Sequence, residues 1–381
     1  MKSKLFICAV LTCIFLFHVI SLNASVVDAI EGKAIAKKKY EKSENVDSKI
    51  KTLYFSGAHS DVKFEGWDKE EVKIKARILI FEYKSKTPIE EFLESYEYFF
   101  KKDSDSITLY RNPINFDGNR SSNIQFTINL PKRLLLKVSN HSHGNLDLIN
   151  CNGGIDLDHS HGTVSIDNES ITNKLKTNIS HSTTKITVKK LSEDTLEFDL
   201  DQSHGRLNLD LPGLGKRFKL RARHADTDVK TTVKSDQMGD YKFDVQHDDL
   251  DLDFHGLAGK LVIDSAHAEV SLKIKEKTAG KLDMNIEIQH DDLEAKLPDI
   301  LGDLKVKSQH ADIEFDFDEY SYDKVKTHKI DVDYGDVESN ILKQYDSSLD
   351  FSEGEILITT NKDSGYRVDI ENSHGDLKYE K

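Results

Sequence analysis

One phrase recurs down this chain at nearly fixed spacing, and that recurrence limits the possible folds more than any local preference does. It reads Ser142-His143-Gly144-Asn145-Leu146-Asp147-Leu148 early on and Ser373-His374-Gly375-Asp376-Leu377 near the end. Between them, His161, His181, His204, His224, His247, His267, His290 and His310 head similar phrases, at steps of 18, 20, 23, 20, 23, 20, 23 and 20 residues. Tyr334, Glu353 and His374 continue the register. A period near 20 residues is the mark of a solenoid, in which each repeat buries its apolar face against the next.

The pattern inside each phrase says which solenoid. The third residue after the histidine is Leu146, Val164, Leu207, Leu250 or Ile313, and the fifth is Leu148, Ile166, Leu209, Leu252 or Phe315. Polar residues such as Asp147, Ser165, Asn208 and Asp251 lie between them. Alternation at period two is a strand with one buried face, whereas a helix would need apolar residues at three- and four-residue steps. The expectation is an all-β chain, a parallel β-solenoid of β-helix type with coils of about 20 residues. Equivalent Leu, Ile and Val side chains would stack into one continuous core. Alternating steps mark two kinds of coil, one carrying Gln-His-Asp-Asp (His247, His290) and one His-Ala (His224, His267, His310). The longer steps predict solvated loops at 230–240, 275–281 and 320–328.

The ends read differently. Lys2 and Lys4 precede an apolar run from Leu5 to Ile20, and Leu22-Asn23-Ala24 offers a small residue for cleavage, so residues 1–24 read as a signal peptide. No membrane span is expected after its removal. Residues 25–45, rich in lysine and glutamate, read as a flexible lead-in. Residues 46–131 form an N-terminal β segment, and 132–381 the regular array. Within the first segment, Thr87-Pro88-Ile89-Glu90 has the form of a capping box, and Ile89, Phe92, Leu93, Tyr96, Phe99 and Phe100 fall on one stripe. That predicts an amphipathic helix over 88–101, covering the exposed end of the solenoid.

A formal charge of −14 with no basic stripe excludes nucleic acid as a natural partner and suits a self-repelling soluble surface. Removal of the signal peptide would take Cys8 and Cys13 with it, leaving Cys151 alone, so no intrachain disulfide is expected.

Gly57-Ala58-His59-Ser60-Asp61-Val62, followed by Gly66-Trp67-Asp68 and the repeated Ser-His-Gly-Asn/Asp-Leu phrases, resembles an adhesin-like family of bacterial envelope proteins. The likeness spans roughly residues 50–381. It implies an exported solenoid in the periplasm, at the cell surface or outside the cell, and it carries over no functional residue, because these motifs are structural turns.

The histidine column is the sharpest chemical feature. Equivalent residues in neighbouring coils lie about 4.8 Å apart, so the column is expected as a polar ladder at a turn. The alternative is a metal site: His141 and His143 sit two residues apart, as do His159 and His161 one coil later, and four imidazoles could converge on zinc or copper. Charging the stack on acidification would make its members repel, a route to a pH response. The acidic columns (Asp248, Asp249, Asp251, Asp253, Asp291, Asp292) invite calcium, which needs six or more converging oxygens; lysines in the same columns favour a solvated face. Solenoids also host glycan-cleaving enzymes, but here the carboxylates are spread evenly and Trp67 is the one tryptophan. Each Ser-His pair is adjacent in sequence and so points to opposite faces of a strand. The sequence therefore predicts a non-enzymatic exported interaction protein, with an unknown protein or glycan at the envelope as partner and no cofactor. A metal- or pH-responsive periplasmic protein is the second reading and a carbohydrate-active enzyme the third.

Overall fold

Residues one period apart pair in parallel, and that rule builds almost the whole molecule. The structure, a computed structural model, describes residues 33–112, 118–191, 197–298, 302–317, 327–333, 337–340, 346–353, 356–359, 367–374 and 377–380. The expected signal peptide, the first part of the lead-in, most of the 320–328 loop and the Tyr334 corner lie outside these residues. The long strands β10 (Ile155–Ile171), β11 (Lys174–Leu191), β12 (Glu197–Leu211) and β13 (Arg217–Thr231) follow one another in parallel register. Beyond them each coil divides into two strands, one before its histidine and one after: Met238–Gln246 with Leu250–Phe254, then Ala258–Ala266 with Val270–Ile274. Leu282–Gln289 with Leu293–Leu297, and Leu304–Gln309 with Ile313–Phe317, repeat the arrangement. Parallel pairing then runs on through Thr327–Asp333, Asp346–Glu353 and Arg367–His374, and through Val337–Asn340, Ile356–Thr359 and Leu377–Glu380. The fold is the expected parallel β-solenoid with coils of about 20 residues.

Inward columns make the core, and two of them show the pattern. After the histidine, Ile166, Ile186, Leu209, Val229, Leu252, Leu272, Ala295 and Phe315 pair in sequence and are all buried. Before it, Leu157, Thr177, Leu200, Leu220, Phe243, Ile263, Ile286 and Val306 do the same. Apart from Thr177, each of these rungs is an apolar side chain lying on its counterpart, so burial accumulates with every coil and no single central core is needed. Larger side chains interlock where the column allows, as in Phe198–Phe218 at 5.5 Å and Phe218–Phe243 at 5.2 Å between ring centres.

The N-terminal end departs from the reading of its sequence in two places. Residues 36–45 form a strand, β1 (Ala36–Asn45), and not a flexible lead-in. It lies antiparallel on β4 (Glu71–Ser85), in register from Ala36 opposite Ile80 to Asn45 opposite Glu71. Nothing in its lysine-rich alternation signals a buried face; what orders it is β4's hydrogen-bonding edge together with charge pairing, since Lys73 and Lys75 both reach Glu41. Tyr40 donates its hydroxyl to the Tyr96 carbonyl at 2.9 Å and accepts from the Tyr98 amide at 3.0 Å.

The expected 88–101 helix is one short helix, α1 (Ile89–Glu94), and its Thr87 forms no side-chain cap. The aromatic residues that completed the apparent stripe belong instead to β5 (Tyr98–Lys102), antiparallel to β6 (Ser106–Arg111). A Tyr-Phe-Phe run suits a pleated strand, and there Tyr98 is fully buried, its ring 5.2 Å from Phe55. Phe92 of α1 is buried against Tyr83 and Tyr96. The end of the rod is thus closed mainly by antiparallel strands, β1 on β4 on β7 (Gly118–Pro131), rather than by a helix.

Candidate functional site

The corner between the two strands of each coil is where the histidines sit, and its backbone explains the residue. His59, His143, His161, His181, His204, His224, His247, His267, His290 and His310 all lie in the left-handed region, with φ between 51 and 60°. Side chains other than glycine seldom adopt it; histidine is among those that tolerate it. The residue that follows often meets the coil beneath. At Gly162 (φ 153°) and Gly205 (φ 120°) a Cβ would come within 2.2 Å of the Gly144 and Ser182 carbonyl oxygens, so only glycine fits. In the His-Ala coils Ala225, Ala268 and Ala311 are buried instead. There the corner carbonyl is met from inside, with Ser265 donating to the Ala268 carbonyl at 3.0 Å and Ser308 to that of Ala311 at 3.1 Å.

The ten rings form one unbroken stack. From His59 to His310, successive ring centres are 4.5 to 5.1 Å apart, with planes inclined by 1 to 23°. Strand spacing sets that rung, and every ring of the stack is exposed along its edge. Partial burial, aided by the positive charge of Arg120 and Arg111 and by His143, lowers the pKa of His59.

The four imidazoles proposed from sequence as metal ligands separate into two columns. His143 and His161 belong to the exposed stack, 4.7 Å apart. His141 and His159 face inward, each 1% exposed, and stack on one another at 5.0 Å. The two-residue spacing misleads because the second member of each pair, His143 or His161, is itself the left-handed corner, which turns its side chain out of the strand's alternation. Among the described residues no group of three or more His, Cys, Asp or Glu side chains is placed to hold a metal ion.

The buried pair has a defined proton arrangement. His141 Nε2 lies 3.0 Å from the Ser60 carbonyl oxygen, so it carries the hydrogen and its Nδ1 accepts. His159 Nδ1 therefore donates across 2.9 Å to His141 Nδ1, leaving His159 Nε2 buried without a partner. Burial drives both rings down to a pKa of about 4; the Ser60 carbonyl and Asp61 partly offset this at His141, while His141 and His161 add to it at His159. Elsewhere in the core, Cys151 is fully buried, and burial pushes its thiol up to about 12.

The acidic columns carry their own cations. Asp253 lies in one rung with Lys273, and Lys296 with Asp316. Lys275 reaches Asp253 at 2.7 Å, Lys230 reaches Asp228 at 2.8 Å, and Lys296 pairs with Glu294. Partial burial and the neighbouring Asp228 and Asp249 carboxylates raise the pKa of Asp251. This is the pattern of a solvated face rather than of a calcium cage.

The sequence reading passed over the strand that precedes each histidine and, with it, the inward residue two before the corner. That residue is polar in several coils: besides Ser265 and Ser308, Gln202 accepts from Thr184 at 2.9 Å and donates to the Ser182 carbonyl at 2.9 Å. The signal was present as apolar residues at even steps before the histidine, such as Phe198 and Leu200 ahead of His204.

No known family's sequence profile matches the chain, and no curated protein matches it. Among solved structures, a candidate adhesin and a candidate lipid-binding protein, both from Parabacteroides distasonis, align over 90% of this chain. They are covered over 97% and 98% of their own length, at 10% and 12% identity, each with a TM-score of 0.22. A candidate cell adhesion protein from Clostridium sporogenes aligns over 90% of this chain and 99% of its own, at 11% identity and a TM-score of 0.20. At these scores nothing about this chain's activity follows from them.

Proposed function

We propose that this chain is an exported, non-enzymatic protein of the cell envelope or surface, adhesin-like in role, that works by presenting a long rigid face to its partner. The observation that carries this reading is the distribution of the polar chemistry. The imidazoles run as one column from His59 to His310, each ring repeated at the strand spacing, which suits contact with an extended partner. A reaction centre needs dissimilar groups converging on one point. Protease shaving of intact cells, with the chain followed by antibody, tests the placement: loss of full-length protein while a cytoplasmic marker survives is the expected result. Retention in the cytoplasmic fraction would reject it.

The stacked imidazoles favour a second reading, a response to acid. Placing a charge on neighbouring rungs brings like charges to 4.5–5.1 Å. A metal shared between rungs is less suited to this geometry, because zinc–nitrogen bonds of about 2.0–2.1 Å need nitrogens no more than about 4.2 Å apart. Zinc calorimetry on the whole chain separates the two: heat at micromolar zinc would restore the metal.

A further inference from the structure

Exposed large apolar side chains are few among the described residues: Ile35, Tyr54, Tyr110, Val233 and Met238. Tyr54 and Tyr110, 38% and 43% exposed, share one face of one sheet. Tyr54 lies on β2 (Thr52–Ala58), paired with Thr108 of β6, and Tyr110 is two residues further along β6 on the same side. Directly opposite Tyr110 on β5 is Phe99, its ring 5.8 Å away, and opposite Thr108 is Lys101. On the other flank Tyr54 pairs with Lys137, whose ammonium lies 5.2 Å from the Tyr54 ring centre. Four adjacent strands thus present a patch of three aromatic rings, with Lys137 over the Tyr54 ring, Lys42 3.9 Å from the centre of the half-buried Phe99 ring, and Lys101 at the edge. Asp103 lies 3.9 Å from Lys101, both well exposed, while Lys137 has no carboxylate partner among the described residues.

We infer that this face is a docking platform for an acidic glycan, a pyranose chain carrying carboxylates. The inference rests on the surface-interaction reading above and names its partner. An exposed aromatic ring offers its electron-rich face to the C–H face of a sugar ring; among the described residues Tyr110 has no ammonium over it, and a carboxylate that draws Lys137 aside would free the Tyr54 ring. Ammonium groups at the edges complement carboxylates, and they do so on a molecule whose net charge is −14, so the platform is distinguished locally from the acidic remainder of the rod. The patch combines aromatic, hydroxyl and ammonium groups, with half-buried Leu135 as its aliphatic margin.

The test is calorimetry on the full chain with an oligogalacturonate, its methyl ester and inorganic polyphosphate as probes. Saturable binding of the oligogalacturonate is expected, weakened about tenfold by each of Tyr54→Ala and Tyr110→Ala. Tyr54→Phe and Tyr110→Phe should retain it, and Lys101→Ala/Lys137→Ala should weaken it and reduce its salt dependence. Val233→Ser, on an exposed apolar residue elsewhere, should leave it unchanged. Absence of saturable binding at millimolar oligogalacturonate would overturn the inference, as would equal binding of the ester, equal binding of polyphosphate, or an unchanged affinity in the two alanine variants. The variants are checked by circular dichroism, since both tyrosines are exposed and the fold should persist. Surface exposure is read separately by protease shaving, so a failed glycan platform and a failed placement give different results.

Discussion

Acidification should loosen the rod first at His141 and His159. Both rings are neutral and buried in the folded chain, with pKa values near 4 against an ordinary 6.5. Between those values the unfolded chain binds protons that the folded chain refuses, so the stability this pair contributes is complete above about pH 6.5 and is lost as pH falls towards about 4. At about 1.36 kcal/mol per pKa unit, each ring accounts for about 3 kcal/mol. Because the rings share one hydrogen bond and repel when charged, the pair together accounts for an amount on the order of 3–7 kcal/mol. The structure also says why the folded state refuses the proton. A second hydrogen on His141 Nδ1 would face the His159 Nδ1 hydrogen across 2.9 Å, and one on His159 Nε2 would be buried with no acceptor. Urea unfolding of the wild type and of His141→Leu/His159→Leu at pH 7.5, 5.5 and 4.5 isolates the pair from every other titrating group. The wild type should lose more stability than the double variant between pH 7.5 and 4.5, by at least about 2 kcal/mol. Parallel pH dependences in the two proteins would refute the proton assignment.

Other predictions concern the corners and the core. His181→Ala removes two stacking contacts and should cost about 1 kcal/mol, whereas His181→Gly removes the same contacts but also relieves the left-handed strain that a β-carbon carries there and should lie nearer the wild type; identical midpoints for both variants would contradict the division. Gly205→Ala drives a Cβ against the Ser182 carbonyl oxygen and should cost at least about 2 kcal/mol in chemical unfolding, whereas a neutral result would mean that the corner backbone is not as described. Cys151 should resist a thiol reagent in the native chain at pH 8 and react fully in denaturant; rapid native modification would contradict its burial.

How much was legible in the sequence follows from what each residue depends on. The coil period, the strand after each histidine and the polar-in-lysine pattern of the acidic face are repeated choices, so they show in one chain. The strand before the histidine is equally periodic, as Tyr241, Phe243 and Val245 show before His247, but it carries no fixed phrase of its own to mark it. The face of His141 and His159 was not readable by counting, because the parity of a strand is lost across a left-handed corner. Residues 36–45 have no apolar period at all; their strand exists because β4 supplies hydrogen bonds and opposite charges. The aromatic run at Tyr98-Phe99-Phe100 satisfied helical and strand spacing at once, and tertiary contact with Phe55 and Phe126 decided for the strand.

The central claim is that equivalent residues of successive coils lie directly over one another, so distance along the rod counts coils and not residues. Ser165, Ser271 and Glu314 occupy one outward column through an unbroken chain of pairings. Spin labels at 165 and 271 should therefore be about 24 Å apart, and labels at 165 and 314 about 34 Å, five and seven strand spacings of about 4.8 Å. Dipolar distances that rise in this ratio are the predicted result. Two distances that fail to grow with coil number, or broad distributions for both pairs, would contradict it.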